Sequence, residues 1–231
     1  MAGRIAYYGG IVTNGLVLDL DAAKKDSYPG SGTAWRDISG FQNNGTLING
    51  PTFNTGSGGS IVLDGTNDFV DLGSNSTLTS NALTLDCWFN LGTQNQVKYI
   101  VMKAVDTGFS RDYGIVTTVG NNINWFFGID NPNFVSLTST VTVGQNIWTN
   151  IIATRNGSLS VLYINGVANV SSSYSFTQTD LGQPLYIGNL INPNSGRYFR
   201  GNFSTMKLYN RALSAQEVLQ NYNATKGRYG L

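Results

Sequence analysis

The stretch Trp148-Thr149-Asn150-Ile151-Ile152-Ala153-Thr154-Arg155-Asn156-Gly157-Ser158-Leu159-Ser160-Val161-Leu162-Tyr163-Ile164-Asn165-Gly166 brackets a short apolar run with two Asn-Gly pairs. Asn-Gly suits two-residue hairpin turns, because both central residues of a type I′ turn need positive φ. The segment 147–170 therefore predicts three antiparallel strands joined as a meander. Nothing in it supports a helix.

The same reading extends outward on both sides. From Leu83 to Leu91, Leu83, Leu85, Cys87, Phe89 and Leu91 fall on one face and Thr84, Asp86, Trp88 and Asn90 on the other. That alternation predicts a central strand with one buried face. Leu16, Leu18 and Leu20 alternate with Asp19 and Asp21 in an earlier strand. Further short strands are predicted at 46–49, 61–64, 69–72, 184–190 and 203–210, with apolar runs around 97–103, 113–118, 123–129 and 135–143. The Thr55–Ser60 tract, only six residues of Thr, Gly and Ser, is expected to join two strands of one sheet. One helix is signalled at 214–222, where Ser214 and Glu217 form a capping box and Leu213 with Val218 fit a hydrophobic staple. Its expected packing face is Ala215, Val218, Leu219 and Tyr222.

Many short strands and one late helix predict an all-β fold, a two-sheet antiparallel sandwich. The 231 residues are long enough to bury a sizeable core as one domain. Composition agrees. Charged residues make up 12%, about half the usual quarter. The polar surface comes instead from Gly, Ser, Thr and the 27 Asn, residues that favour turns over helices.

Several functions are disfavoured by what the chain lacks. Net charge is +1 with no basic run, so nucleic acid is not an expected partner. The single Cys87 leaves no intrachain disulfide and reads as a small buried hydrophobe. No stretch approaches the ~20 apolar residues of a membrane helix. The first ten residues show no apolar segment of a signal peptide. The six Asn-x-Ser/Thr triplets are what so much Asn, Ser and Thr gives by chance.

Five stretches, in order, carry a family resemblance: Gly15–Ala22, Trp35–Leu47, Ser60–Val70, Trp148–Gly166 and Tyr209–Glu217. They resemble the first strand, the "W-D-S-G-N-N-G-T-L" loop, the "F-D-G-x-D-D-Y-V" hairpin, the meander and the "Y-N-R-A-L-S-x-x-E" ending of laminin-G-like, concanavalin A-like domains. The resemblance implies a jelly-roll sandwich over residues 15–222, with an N-terminal arm at 1–14 and a C-terminal tail at 223–231. It also implies a calcium ion held by the loop containing Asp64, Asn67 and Asp68. Calcium takes only oxygen ligands, which this loop supplies. The family's further acid, in a late strand, is Ser204 here, which weakens that implication. The competing reading is that Asp64 and Asp68 cap turn amides.

Catalysis is not expected. Glycoside hydrolysis needs two carboxylates, one kept protonated. The one Glu, Glu217, is already explained as a cap, and no His is present for a nucleophile–base pair or a zinc site. Asp19 with Asp21, or Asp64 with Asp68, are the remaining acid pairs. For glycan binding, Tyr113 and Trp125 are the candidate aromatic platforms, set against the reading that strand aromatics belong to the core. Tyr7 and Tyr8 are candidate assembly contacts. The leading expectation is a non-enzymatic virion subunit, in a capsid or tail, made in a host cytoplasm, contacting other virion proteins or its own copies. The alternative is a carbohydrate-binding adhesin module recognising cell-surface glycan, and the third is a glycoside hydrolase.

Overall fold

The computed structural model describes residues 9–104, 111–130, 133–190 and 196–231. Among these the strands are β1 (Leu16–Asp21), β2 (Ala34–Trp35), β3 (Gly45–Ile48), β4 (Thr52–Asn54), β5 (Ser60–Asp64), β6 (Phe69–Asp71), β7 (Ala82–Leu91) and β8 (Tyr99–Ala104). They continue with β9 (Arg111–Thr117), β10 (Asn122–Asp130), β11 (Asn133–Thr142), β12 (Trp148–Asn156), β13 (Leu159–Ile164), β14 (Val167–Ser173), β15 (Leu185–Ile187) and β16 (Arg200–Tyr209). Helix α1 (Ala215–Thr225) and a 3-10 turn at Lys226–Tyr229 follow. One sheet runs β14-β13-β12-β7-β16-β5-β4, with β1 also paired to β16; the other runs β11-β10-β9-β8-β15-β6-β3-β2. The pairing is antiparallel throughout both sheets, and the two form a sandwich.

The meander forms as the Asn-Gly pairs predict, β12 pairing with β13 and β13 with β14. Its two turns differ. Asn165 and Gly166 both take positive φ, 50° and 77°, as a type I′ turn requires. At the first turn only Gly157 does. There the Asn156 side chain accepts hydrogen bonds from the Ser158 and Leu159 amides, at 3.1 and 2.8 Å.

Between the sheets lies the core, where Leu18, Leu85, Phe89, Ile115, Trp125, Phe127, Ile151 and Phe203 are buried together. Each such side chain, fully buried, contributes about 1.5–3 kcal/mol. Leu16 departs from the expected face. A bulge between Leu16 and Leu18 turns it out of this core, against a second cluster of Val12, Ile152, Tyr209, Leu213 and Val218. Thr55–Ser60 does join neighbours of one sheet, β4 and β5. The Asp64–Asp68 turn does not make a hairpin; it carries the chain from β5 in one sheet to β6 in the other.

Both faces of β7 are buried, against the expectation of one. Thr84, Asp86 and Trp88 are at most 3% exposed. They lie beneath α1 and the turn after it: the Trp88 indole N–H donates to Thr225 Oγ1 at 2.9 Å, and its ring stacks on Tyr229 with centroids 4.0 Å apart. The capping box and staple of α1 form as expected, but the buried face is rotated. Ala215 and Leu219 are exposed, while Val218 and the polar Asn221 are buried. Asn221 is drawn inward because its Nδ2 donates to Asp86 Oδ2 and to the Tyr209 hydroxyl, and its Oδ1 accepts from the Val12 amide.

Glu217 completes its capping box and also receives two hydrogen bonds from Arg211, at 2.6 and 2.9 Å. Hydrogen bonding from Arg211, ahead of all other causes, lowers its pKa from 4.5 to about 2. A carboxyl depressed in the fold stabilises fully above its unfolded value and less as pH falls toward the folded one. Glu217→Gln is therefore expected to cost about 1 kcal/mol at pH 7, and much less near pH 2. Urea unfolding at the two pH values checks this; an equal cost at both would remove the carboxylate from the explanation.

Candidate ligand site

The crossover turn is built by its own carboxylates. Asp64 Oδ1 accepts from the amides of Thr66, Asn67 and Asp68, at 2.7, 3.3 and 3.4 Å, and Asp68 Oδ2 accepts from the Asp64 amide at 3.2 Å. Partial burial works against the ionised form of Asp64, but the three amides outweigh it and hold its pKa below the ordinary value. Gly65, at φ 78°, closes the turn. These contacts are those of the turn-capping reading. Where the family's further acid would stand, Ser204 Oγ donates to the Gly59 carbonyl, and no group of three or more His, Cys, Asp or Glu side chains placed to hold a metal occurs among the described residues.

Tyr113 and Trp125 are not platforms. Both are 0% exposed in the core, where the Tyr113 hydroxyl donates to the Leu78 carbonyl at 2.7 Å. Tyr7 and Tyr8 lie outside the described residues. The segment after them is docked on α1, with Gln220 Nε2 donating to the Gly10 carbonyl and the Tyr209 hydroxyl to that of Val12. Asp19 and Asp21 are buried under the last turn of the chain. Burial raises the Asp19 pKa, yet at 4% exposure it has no access to a substrate. Asp21 is clamped by Arg228.

An open polar pocket of about 310 Å³ lies where the crossover turn meets the β7–β8 loop and the start of β16. Asp64, Gly65 and Thr66 form one wall; Thr93, Gln94, Asn95, Gln96 and Lys98 form another; Arg200 completes it. The walls are tied together by the Gly92 amide donating to the Arg200 carbonyl at 2.8 Å and by the Arg200–Asp64 strand pairing. Both polar atoms of the Gln94 side chain are enclosed without a hydrogen bond among the described residues. Leaving such atoms unpaired costs about 1–3 kcal/mol each.

Residues 64–219 match the sequence family described as the concanavalin A-like lectin/glucanases superfamily. The chain belongs to this superfamily. No curated protein matches it in sequence. Among solved structures, this superfamily member resembles domain 4 of AbnA, a GH43 extracellular arabinanase from Geobacillus stearothermophilus, solved in complex with arabinotriose: 17% identity, 90% of this chain and 98% of that one covered, TM-score 0.71. It resembles the binding domain of Paraclostridial Mosquitocidal Protein 1 at 20% identity over 92% of this chain and 52% of that one, TM-score 0.72. A third neighbour is the Trypanosoma rangeli sialidase in complex with the inhibitor DANA, at 14% identity over 94% and 34%, TM-score 0.71. The chain thus spans about half of the toxin binding domain and a third of the sialidase chain. At these identities the likeness is one of fold. The superfamily holds binding domains and hydrolases alike, so function rests on the site.

Proposed function

We propose that this chain is a non-catalytic carbohydrate-binding module whose ligand occupies the pocket between the crossover turn and the β7–β8 loop. The observation that carries the reading is the lining: Thr66, Thr93, Asn95 and Gln96, residues with hydroxyl and amide side chains, border one open cavity. Sugar hydroxyls both donate and accept, and side-chain amides supply both functions from one group. AbnA domain 4, matched almost end to end and solved with arabinotriose, supports the class of ligand.

Among the described residues the acid candidates are otherwise engaged: Glu217 is held by Arg211, Asp64 by backbone amides, and Asp19 and Asp21 are enclosed. The virion-subunit reading gains nothing from the pocket or from the neighbours, so the adhesin-type reading takes its place. Titration calorimetry against a panel of oligosaccharides, arabinotriose included, tests it. Asn95→Ala is expected to weaken binding about tenfold without changing the melting temperature. Binding that survives Asn95→Ala and Gln96→Ala unchanged would move the ligand elsewhere; no binding to any sugar would end the reading.

A further inference from the structure

Among the described residues, each buried cation outside the pocket has its charge or its donors answered. Lys103 Nζ lies 2.8 Å from Asp112 and Lys207 Nζ 3.9 Å from Asp19, while Arg228 makes two 2.8 Å hydrogen bonds to Asp21. Arg155, without a carboxylate, donates to the carbonyls of Gly157, Tyr174 and Phe176 and lies over the rings of Phe127 and Phe176.

Lys98 breaks this pattern. It is 8% exposed, its Nζ makes one hydrogen bond, to the Gly196 carbonyl at 3.1 Å, and no described carboxylate pairs with it. An ammonium carries three donors, and a buried charge without a counter-ion is costly. Beside it in the same pocket is Arg200, whose guanidinium makes no hydrogen bond or ion pair with any described residue. Its stem lies close to two glycines: a methyl group added at Gly65 would lie 2.7 Å from Arg200 Cβ, and one at Gly92 would lie 3.2 Å from its Cγ. Two glycines thus make room for the Arg200 stem, and its fork is unpaired among the described residues. The one acid in the lining, Asp64, shares its charge with three amides.

We infer that the pocket selects an acidic sugar, with Lys98 and Arg200 receiving a single carboxylate or sulfate ester while the amide and hydroxyl wall reads the ring. This rests on the glycan reading above and narrows it. A planar guanidinium fork matches the two oxygens of such a group, and the ammonium adds a point charge. Two cations in one pocket, on a chain of net charge +1, suit one anionic group rather than a polyanion that needs a basic stripe.

The test uses matched pairs differing only in the acid: trigalacturonate and its methyl ester, 3′-sialyllactose and lactose, sulfated and unsulfated lactose. Calorimetry is run on the full chain, on Arg200→Gln and on Lys98→Met, with thermal unfolding as the fold control. The acidic member of at least one pair is expected to bind about ten- to a hundredfold tighter than its mate, and either substitution to bring that ratio close to one. The responding pair identifies the source of the anion. Arg200 is exposed, so Arg200→Gln carries the test if Lys98→Met fails to fold. Equal binding of acidic and neutral mates, still weakened by Asn95→Ala, overturns the acidic preference and leaves the glycan site intact. An acid preference that persists in both variants overturns the assignment to these two residues. No binding by any pair overturns the glycan reading as well.

Discussion

A chain ending at Thr225 is expected to lose about 4–6 kcal/mol of stability, although only the last six residues are removed. Those residues close the outer face of β7 and β16. Tyr229, 9% exposed, stacks on Trp88 and packs against Trp148, and its hydroxyl donates to Ser204 Oγ at 3.0 Å. Arg228 forks onto Asp21, which is 3% exposed. Arg228→Leu alone would leave the Asp21 charge enclosed, at a cost of about 3–5 kcal/mol, whereas the shortened chain also uncovers Asp21 and loses less from this pair. Loss of the Tyr229 ring adds the exposure of Trp88. Burial alone would raise the Asp21 pKa, and Arg228 more than offsets it, so the carboxyl titrates below 3.8 in the fold. The clamp therefore contributes in full above the unfolded value and is lost as pH falls through the folded one. Urea unfolding of the shortened chain, Arg228→Leu and Tyr229→Ala apportions the effect. A total loss under about 1 kcal/mol would show that this segment merely rests on the sheet.

The same segment explains what could be read locally and what could not. Alternation along Leu83–Leu91 placed the core face correctly, because that face meets a generic apolar layer. It left Thr84, Asp86 and Trp88 to solvent, because their cover comes from residues 211–229, more than 120 positions away. The helix face failed for a related reason: its centre is Asn221, which apolar counting scores as outward. Leu16 escaped because a bulge shifts register by one residue, which pattern alone does not mark.

For the ligand site, the aromatic candidates were the least informative choice. Period two puts Tyr113 with Ile115, and Trp125 with Ile123 and Phe127, on the core face, and that parity was available from the sequence. The turn-capping role of Asp64 was also legible, from its spacing to Gly65 and Asp68. The pocket was not. Gly92-Thr93-Gln94-Asn95-Gln96 reads as an ordinary solvated loop, and its wall is completed by Asp64 and Arg200, which β16 pairing alone brings together. Lys98 follows that loop as one more polar residue; its burial emerges only when the chain near Gly196 lies over it.

Lys103→Met is expected to cost about 3–5 kcal/mol at pH 7, and much less near pH 4. Lys103 is 0% exposed and its Nζ has three acceptors: Asp112 Oδ2 at 2.8 Å, Asp180 Oδ1 at 3.1 Å and the Gln183 carbonyl at 2.8 Å. Met keeps much of the stem volume, so the loss is electrostatic more than a cavity effect. It leaves the carboxylates of Asp112, also 0% exposed, and Asp180 facing each other without a cation. Even with Lys103 present, burial raises the Asp112 pKa above 3.8. A carboxyl raised in the fold binds its proton more tightly there than in the unfolded chain. Its penalty is therefore absent below the unfolded value and grows as pH rises through the folded one. Without Lys103 the folded value rises further, which widens that window toward neutrality. The variant should thus regain most of its stability as pH falls from 7 to 4. Lys103→Met combined with Asp112→Asn should recover much of it at pH 7, since the amide carries no charge and can still accept from Gln178 Nε2. Urea titrations at both pH values decide the matter: a loss independent of pH and untouched by Asp112→Asn would assign it to packing around the stem instead of to the uncompensated carboxylates.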